Sequence, residues 1–102
     1  MSARSKIFEA VVAAMTGQPG VIYGGKGFGA TALKVAGRIF AMLSSSGEIV
    51  VRLPADRVRD LVREGRARHF TAGRDRKLKE WAIVSGRGIP ELAQEAYSFV
   101  RG

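Results

Sequence analysis

The sequence predicts an α+β fold, a two-layer α/β sandwich in which helices cover one face of an antiparallel sheet, in the order α-β3-α-β-α. Three observations carry this. The run from Leu33 to Pro54 reads as three strands joined by two tight turns; segments of helical period precede and follow that run; and a single strand-like stretch, Leu78 to Val84, stands before the closing helical segment. At 102 residues the chain is expected to form one domain over residues 1–102. A domain of this size buries roughly two thirds of the surface its unfolded chain exposes, enough for a core without staples.

In the first segment, Ser5 to Met15, the apolar residues Ile7, Phe8, Val11, Val12 and Met15 share one helical face. Ser5 is the expected N-cap, and Gly17, Pro19 and Gly20 end the helix. Val21 to Tyr23 is β-prone but short. The next stretch is a glycine run containing Gly24, Gly25, Lys26, Gly27 and Gly29, and it invites a phosphate-loop reading. Gly20 to Lys26 fits G-x-x-x-x-G-K, but Gly27 stands where a Ser or Thr hydroxyl would coordinate magnesium; Gly27 to Ala32 fits the loose dinucleotide pattern G-x-G-x-x-A. Both patterns require a helix after the glycines. The residues after this run alternate like a strand instead, so it is expected to be a turning segment, with a ligand loop as the minor alternative.

Leu33 and Val35 alternate with Lys34, and Ile49, Val51 and Leu53 alternate with Glu48, Val50 and Arg52, as in strands with one wet face. Between them Ile39 to Leu43 is apolar throughout, which predicts a central strand covered on both sides by Phe28, the last helix or a second subunit. A homodimer is therefore one expectation. Ala36-Gly37 makes the first turn and Ser44 to Gly47 the second. Pro54 opens the next helix, with Val58, Leu61 and Val62 as its inner stripe and Gly65 as its stop. Thr71 to Lys77 reads as a polar, basic loop before the strand Leu78 to Val84. Pro90 then opens a last helix with Leu92, Ala93, Ala96, Phe99 and Val100 inward.

Seventeen Lys and Arg against nine Asp and Glu give a net charge of +8, and that excess favours anionic partners, nucleic acid first. The densest stretch, Arg52 to Lys79, holds ten basic and four acidic residues. Arg59, Arg63 and Arg66 follow one another at helical spacing, and Arg74, Arg76, Lys77 and Lys79 cluster around the basic loop. These seven are the candidate nucleic-acid contacts. The competing reading is a solvated helix face on which Asp56, Asp60 and Glu64 pair with the arginines. Trp81 among these cations is a base-stacking candidate, against the commoner role of a half-buried core residue.

Catalytic resources are thin. There is no cysteine, and His69 is the one histidine, set beside Phe70 with no nucleophile or carboxylate motif near it. Glu80 is the carboxylate in the most apolar setting, and a cross-strand ion pair explains it as well as chemistry does. No spacing of His, Asp or Glu suggests a metal, so the expectation is a non-enzymatic module without metal or cofactor. No apolar stretch is long enough to span a membrane and no cleavable leader is seen, so a cytoplasmic protein is expected.

Lys34 to Met42, Ile49 to Pro54, Arg57-Val58 with Leu61-Val62, then Gly65, Phe70 and Lys79-Glu80-Trp81 together resemble the TfoX N-terminal domain family and, more distantly, the MmcQ/YjbR-like proteins. The match covers most of the chain, to about Val84. Relatives often carry Met-Phe-Gly before the first strand, where this chain has Tyr23-Gly24-Gly25. The resemblance implies a secretion-chaperone-like sandwich, an association with DNA-uptake competence and DNA binding, and no transferable catalytic residues. A protein-interaction or adaptor domain without a nucleic-acid role is the alternative.

Overall fold

The computed structural model describes residues 3–24, 32–44, 47–72, 76–86 and 88–102. The elements run α1 (Ala3–Met15), β1 (Ile22–Tyr23), β2 (Ala32–Val35), β3 (Arg38–Leu43), β4 (Ile49–Arg52), α2 (Ala55–Arg63), β5 (Ala67–Ala72), β6 (Arg76–Val84) and α3 (Ile89–Arg101). Three helices pack against a six-stranded antiparallel sheet ordered β1-β2-β3-β4-β6-β5, an α+β fold. Compared with the expected order, the described residues add two strands. β1 is too short to show a period. β5 and the start of β6 occupy much of the stretch expected to be loop, because Thr71 and Ala72 pair with Lys77 and Arg76.

The helices hold the sheet through one apolar cluster. Phe8, Val11 and Met15 of α1, Val58 and Leu61 of α2, and Leu92, Ala93, Ala96, Tyr97 and Val100 of α3 meet alternate strand residues such as Leu33, Val51 and Ala82. Register explains the choice, since Leu33, Ala41, Val51, Ala82 and His69 lie opposite one another in a row across the helix-covered face. The rear face carries the complementary row Ala32, Met42, Val50, Ile83 and Arg68. Ala32 and Val50 are buried even there, at 2% and 0% exposure, while Met42 and Ile83 stay half-buried.

The central strand β3 solves its doubly apolar sequence with a bulge. Leu33 faces Ala41 but Lys34 faces Ile39, so Phe40 is the extra residue. A bulge of this kind turns two neighbouring side chains to one side, and both Phe40 and Ala41 are fully buried in the cluster. Phe40 meets Tyr97 edge to face, with ring centroids 5.6 Å apart. Phe28, the other expected cover, lies outside the described residues.

Local details correct two further expectations. Ser5 sits inside α1, which starts at Ala3, so it is not the N-cap. Phe99, expected on the inner stripe of α3, is 36% exposed, and Tyr97 takes the buried place at 2%. Tyr97 shares its helical face with Ala93 and Val100, and its hydroxyl is satisfied by donating to the Pro19 carbonyl at 2.6 Å. α2 ends as its glycine predicts: Arg66 N–H donates to Leu61 O and Gly65 N–H to Val62 O, with Gly65 at φ 77°, the Schellman arrangement.

Candidate nucleic-acid interface

β6 is longer than the strand it pairs with inside the sheet. β4 meets it only between Trp81 and Val84, with one further bond from Leu53 N–H to Glu80 O. Among the described residues Arg76 to Lys79 therefore pairs on one side alone, with β5, through Ala72–Arg76, Thr71–Lys77 and Phe70–Leu78. At about 3.3 Å per residue these four positions carry a two-stranded ribbon roughly 13 Å beyond the body of the sheet. The ladder slips at its base, where His69 faces Ala82 while Phe70 faces Leu78. Such a slip bends and twists a ribbon relative to its sheet.

The sequence makes this ribbon cationic. Arg76 and Lys77 occupy its paired strand, and Lys79, at its base, is exposed. Arg74 belongs to the turn and lies outside the described residues. Pairing with β5 holds Arg76 and Lys77 in the strand without any apolar alternation, which is why this stretch resembles a loop in sequence.

The other three predicted contacts sit apart from the ribbon. α2 begins just after Leu53, bonded at Glu80, and is followed by Arg66, whose carbonyl accepts from Ser85 N–H. It therefore runs back along β5 and β6, away from the overhang. Arg59 and Arg63 are both exposed, on the flank opposite Arg57, which faces α3. Arg59 is 3.9 Å from Asp60, and Arg63 has no carboxylate within 4.0 Å among the described residues. Arg66 leaves this surface altogether: it lies 3.6 Å from Glu64, and its Nη2 is close against Gly88 at the start of α3. The seven residues thus form a ribbon group, a helix pair and one outlier.

Carboxylates neutralise much of the remaining cationic surface. Arg57 donates to both oxygens of Glu95, at 3.0 and 3.2 Å, and this hydrogen bond raises the guanidinium above its ordinary pKa despite some opposing desolvation. Arg52 pairs with Glu80 at 3.0 Å, and Arg68 with Glu48. Exposed pairs of this sort add little stability, but they remove charge from the field a polyanion would meet. Glu80 is thus a cross-strand ion-pair partner. Trp81 is half-buried, with the Arg52 guanidinium 5.5 Å from its ring centroid, so one of its faces is already occupied.

His69 ends the helix-side row of the sheet, and its Nδ1 is buried without a hydrogen-bond partner among the described residues. Among the described residues no three acidic or histidine side chains come together as a metal site, and no helix is long and apolar enough to cross a membrane. Gly24 donates to Ala32 O at 3.1 Å, so the glycine run joins paired strands and is followed by β2, where either nucleotide pattern needs a helix. Gly25, Lys26, Gly27 and Gly29 lie outside the described residues.

Comparison with protein-family models, with characterised proteins and with solved structures finds no match to this chain.

Proposed function

We propose that the chain is a non-enzymatic nucleic-acid-binding module of the TfoX N-terminal type, contacting phosphates with the β5–β6 ribbon and, on a separate surface along α2, with Arg59 and Arg63. The overhang of β6 beyond β4 is the observation that carries this reading. A two-stranded ribbon is one of the two elements the major groove of a duplex admits, and cations on such a ribbon reach phosphates without the rest of the domain intervening. The family part of the reading rests on the strand, turn and helix residues that resemble that family, and a sheet covered by helices on one face agrees with it. Fluorescence anisotropy with labelled duplex DNA, single-stranded DNA and RNA tests it. Affinity falls steeply with salt, and the double variant Arg76→Glu/Lys77→Glu binds far more weakly, whereas Lys34→Glu, on the rear face away from the ribbon, changes little. Absence of binding to all three at low salt refutes it.

A second reading draws on the rear face. There the apolar row Ala32, Met42, Val50 and Ile83 crosses the sheet, and edge strand β1 leaves Ile22 64% and Tyr23 45% exposed. This suits a protein partner or a second copy. Light scattering across a concentration series, and capture of partners after nuclease treatment, separate it from the first.

A further inference from the structure

We infer that the cleft between Phe99, the start of β3, the end of β4 and the middle of β6 binds a small organic anion: a carboxylate or phosphate monoester on a flat apolar body. The cleft measures about 200 Å³ and is lined by Arg38, Arg52, Glu80, Phe99 and Val100. Its two arginines differ in how they are held. Arg52 gives both Nε, at 3.3 Å, and Nη2, at 3.0 Å, to a single Glu80 oxygen, while its guanidinium lies over Trp81. Held on one edge and one face, it keeps Nη1 to offer in a fixed direction; a guanidinium fork has five donors and this pair uses two. Arg38, at the first position of β3, is exposed and has no carboxylate within 4.0 Å among the described residues. With Glu80 counted, the cleft is left with one net positive charge.

Phe99 supplies the second half of the site. It also walls a larger adjoining cleft of about 460 Å³, whose charged groups are Asp56, Arg57 and Glu95. There Arg57 is already bound to Glu95, and Asp56 accepts from the Arg57 backbone N–H, so that lobe carries a net negative charge. The charge difference orients a ligand: its anionic head lies between Arg38 and Arg52, and its uncharged body crosses the Phe99 ring into the larger lobe. Because the arginines are partly solvated, the expected Kd is of the order of 0.1–1 mM.

The test uses phenyl phosphate, with inorganic phosphate, benzoate and phenol beside it at constant ionic strength. It is read by amide NMR shifts and by the fluorescence of Trp81, the one tryptophan of the chain, which touches Arg52. Phenyl phosphate saturates and binds about fivefold or more tighter than inorganic phosphate, and phenol does not bind; benzoate against phenyl phosphate shows which head group is preferred. Arg38→Gln, an exposed change that leaves the core intact, weakens phenyl phosphate by about tenfold. Phe99→Ser removes the preference over inorganic phosphate but keeps the phosphate response. Arg76→Glu leaves all of this unchanged, so failure of the nucleic-acid reading and failure of this one are distinguishable. Shifts that do not saturate, or binding indifferent to Arg38→Gln, would overturn the inference.

Discussion

Replacing Ala36 with asparagine tests the turn on which the first hairpin depends. Val35 faces Arg38 across β2 and β3, so Ala36 and Gly37 alone make the connection. Both have positive φ, 54° and 76°, as a two-residue type I′ turn requires. Ala36 is the only non-glycine residue with positive φ among the described residues. For an L-residue with a Cβ that conformation costs about 1–2 kcal/mol. Asparagine tolerates it far better, and Ala36 is exposed, so its side chain meets no core. Ala36→Asn should therefore gain about 0.5–1 kcal/mol, equivalent to a Tm rise of roughly 3–6 °C in a domain of this size. Ala36→Gly relieves as much backbone strain but gives back about 0.4–1 kcal/mol through the freer unfolded chain, so it should fall between asparagine and alanine. A β-branched residue is worst in this region, and Ala36→Val should lose about 1 kcal/mol. Urea unfolding followed by Trp81 fluorescence, with far-ultraviolet circular dichroism as a second probe, measures all four proteins. If asparagine and glycine both destabilise while valine is neutral, the turn is not of this type and the β2–β3 register is wrong.

The remaining predictions use the same assay. Tyr97→Phe removes the hydroxyl that donates to Pro19 and should cost about 1–2 kcal/mol while keeping the ring against Phe40; no loss would mean that this bond does not tie α3 to the α1–β1 connection. Phe40→Ala empties the fully buried bulge position and should cost about 3–5 kcal/mol, a large share of the roughly 5–15 kcal/mol typical of a domain; a loss below about 1 kcal/mol would place Phe40 outside the core. Gly88→Ala should destabilise by about 1 kcal/mol or more, since φ is 81° and an added Cβ would meet Arg66 Nη2 at 3.2 Å. Relief by a companion Arg66→Ala would show how much of that loss is crowding and how much is backbone.

The part of this fold legible in the sequence is the part set by period. α1 and α2 each bury one face at regular spacing, and Leu33-Lys34-Val35 alternates as a one-sided strand must. The features it conceals come from contacts between distant elements. β5 is an edge strand that opens on Ala67, Arg68 and His69, none of them β-branched, and it is fixed by pairing with β6. Phe99 and Tyr97 both fit an apolar stripe on α3; only the position of Phe40 and of the Pro19 carbonyl decides that Tyr97 turns inward. The candidate interface is legible to the same extent. Helical spacing alone gathers Arg59, Arg63 and Arg66, but the Schellman turn at Gly65 carries Arg66 off towards α3. Arg57 and Glu95 lie 38 residues apart, and no local pattern relates them.

Ion pairing, more than the total charge, decides which cations a polyanion would meet. Among the described residues the ion pairs take Arg52, Arg57, Arg59, Arg66 and Arg68, held by Glu80, Glu95, Asp60, Glu64 and Glu48. Lys6, Lys34 and Lys79 have no such partner among the described residues. A cation already neutralised by a carboxylate adds little net attraction for a polyanion, and little counterion release is left to drive its contact with phosphate. Lys79, at the base of the ribbon, has no such partner to lose. Lys79→Gln should thus lower the salt dependence of nucleic-acid binding by about one phosphate contact, while Arg57→Gln, which removes as much formal charge, should leave it nearly unchanged. Equal effects from the two substitutions would mean that binding follows net charge alone, and the ribbon would then lose its claim as the contact surface.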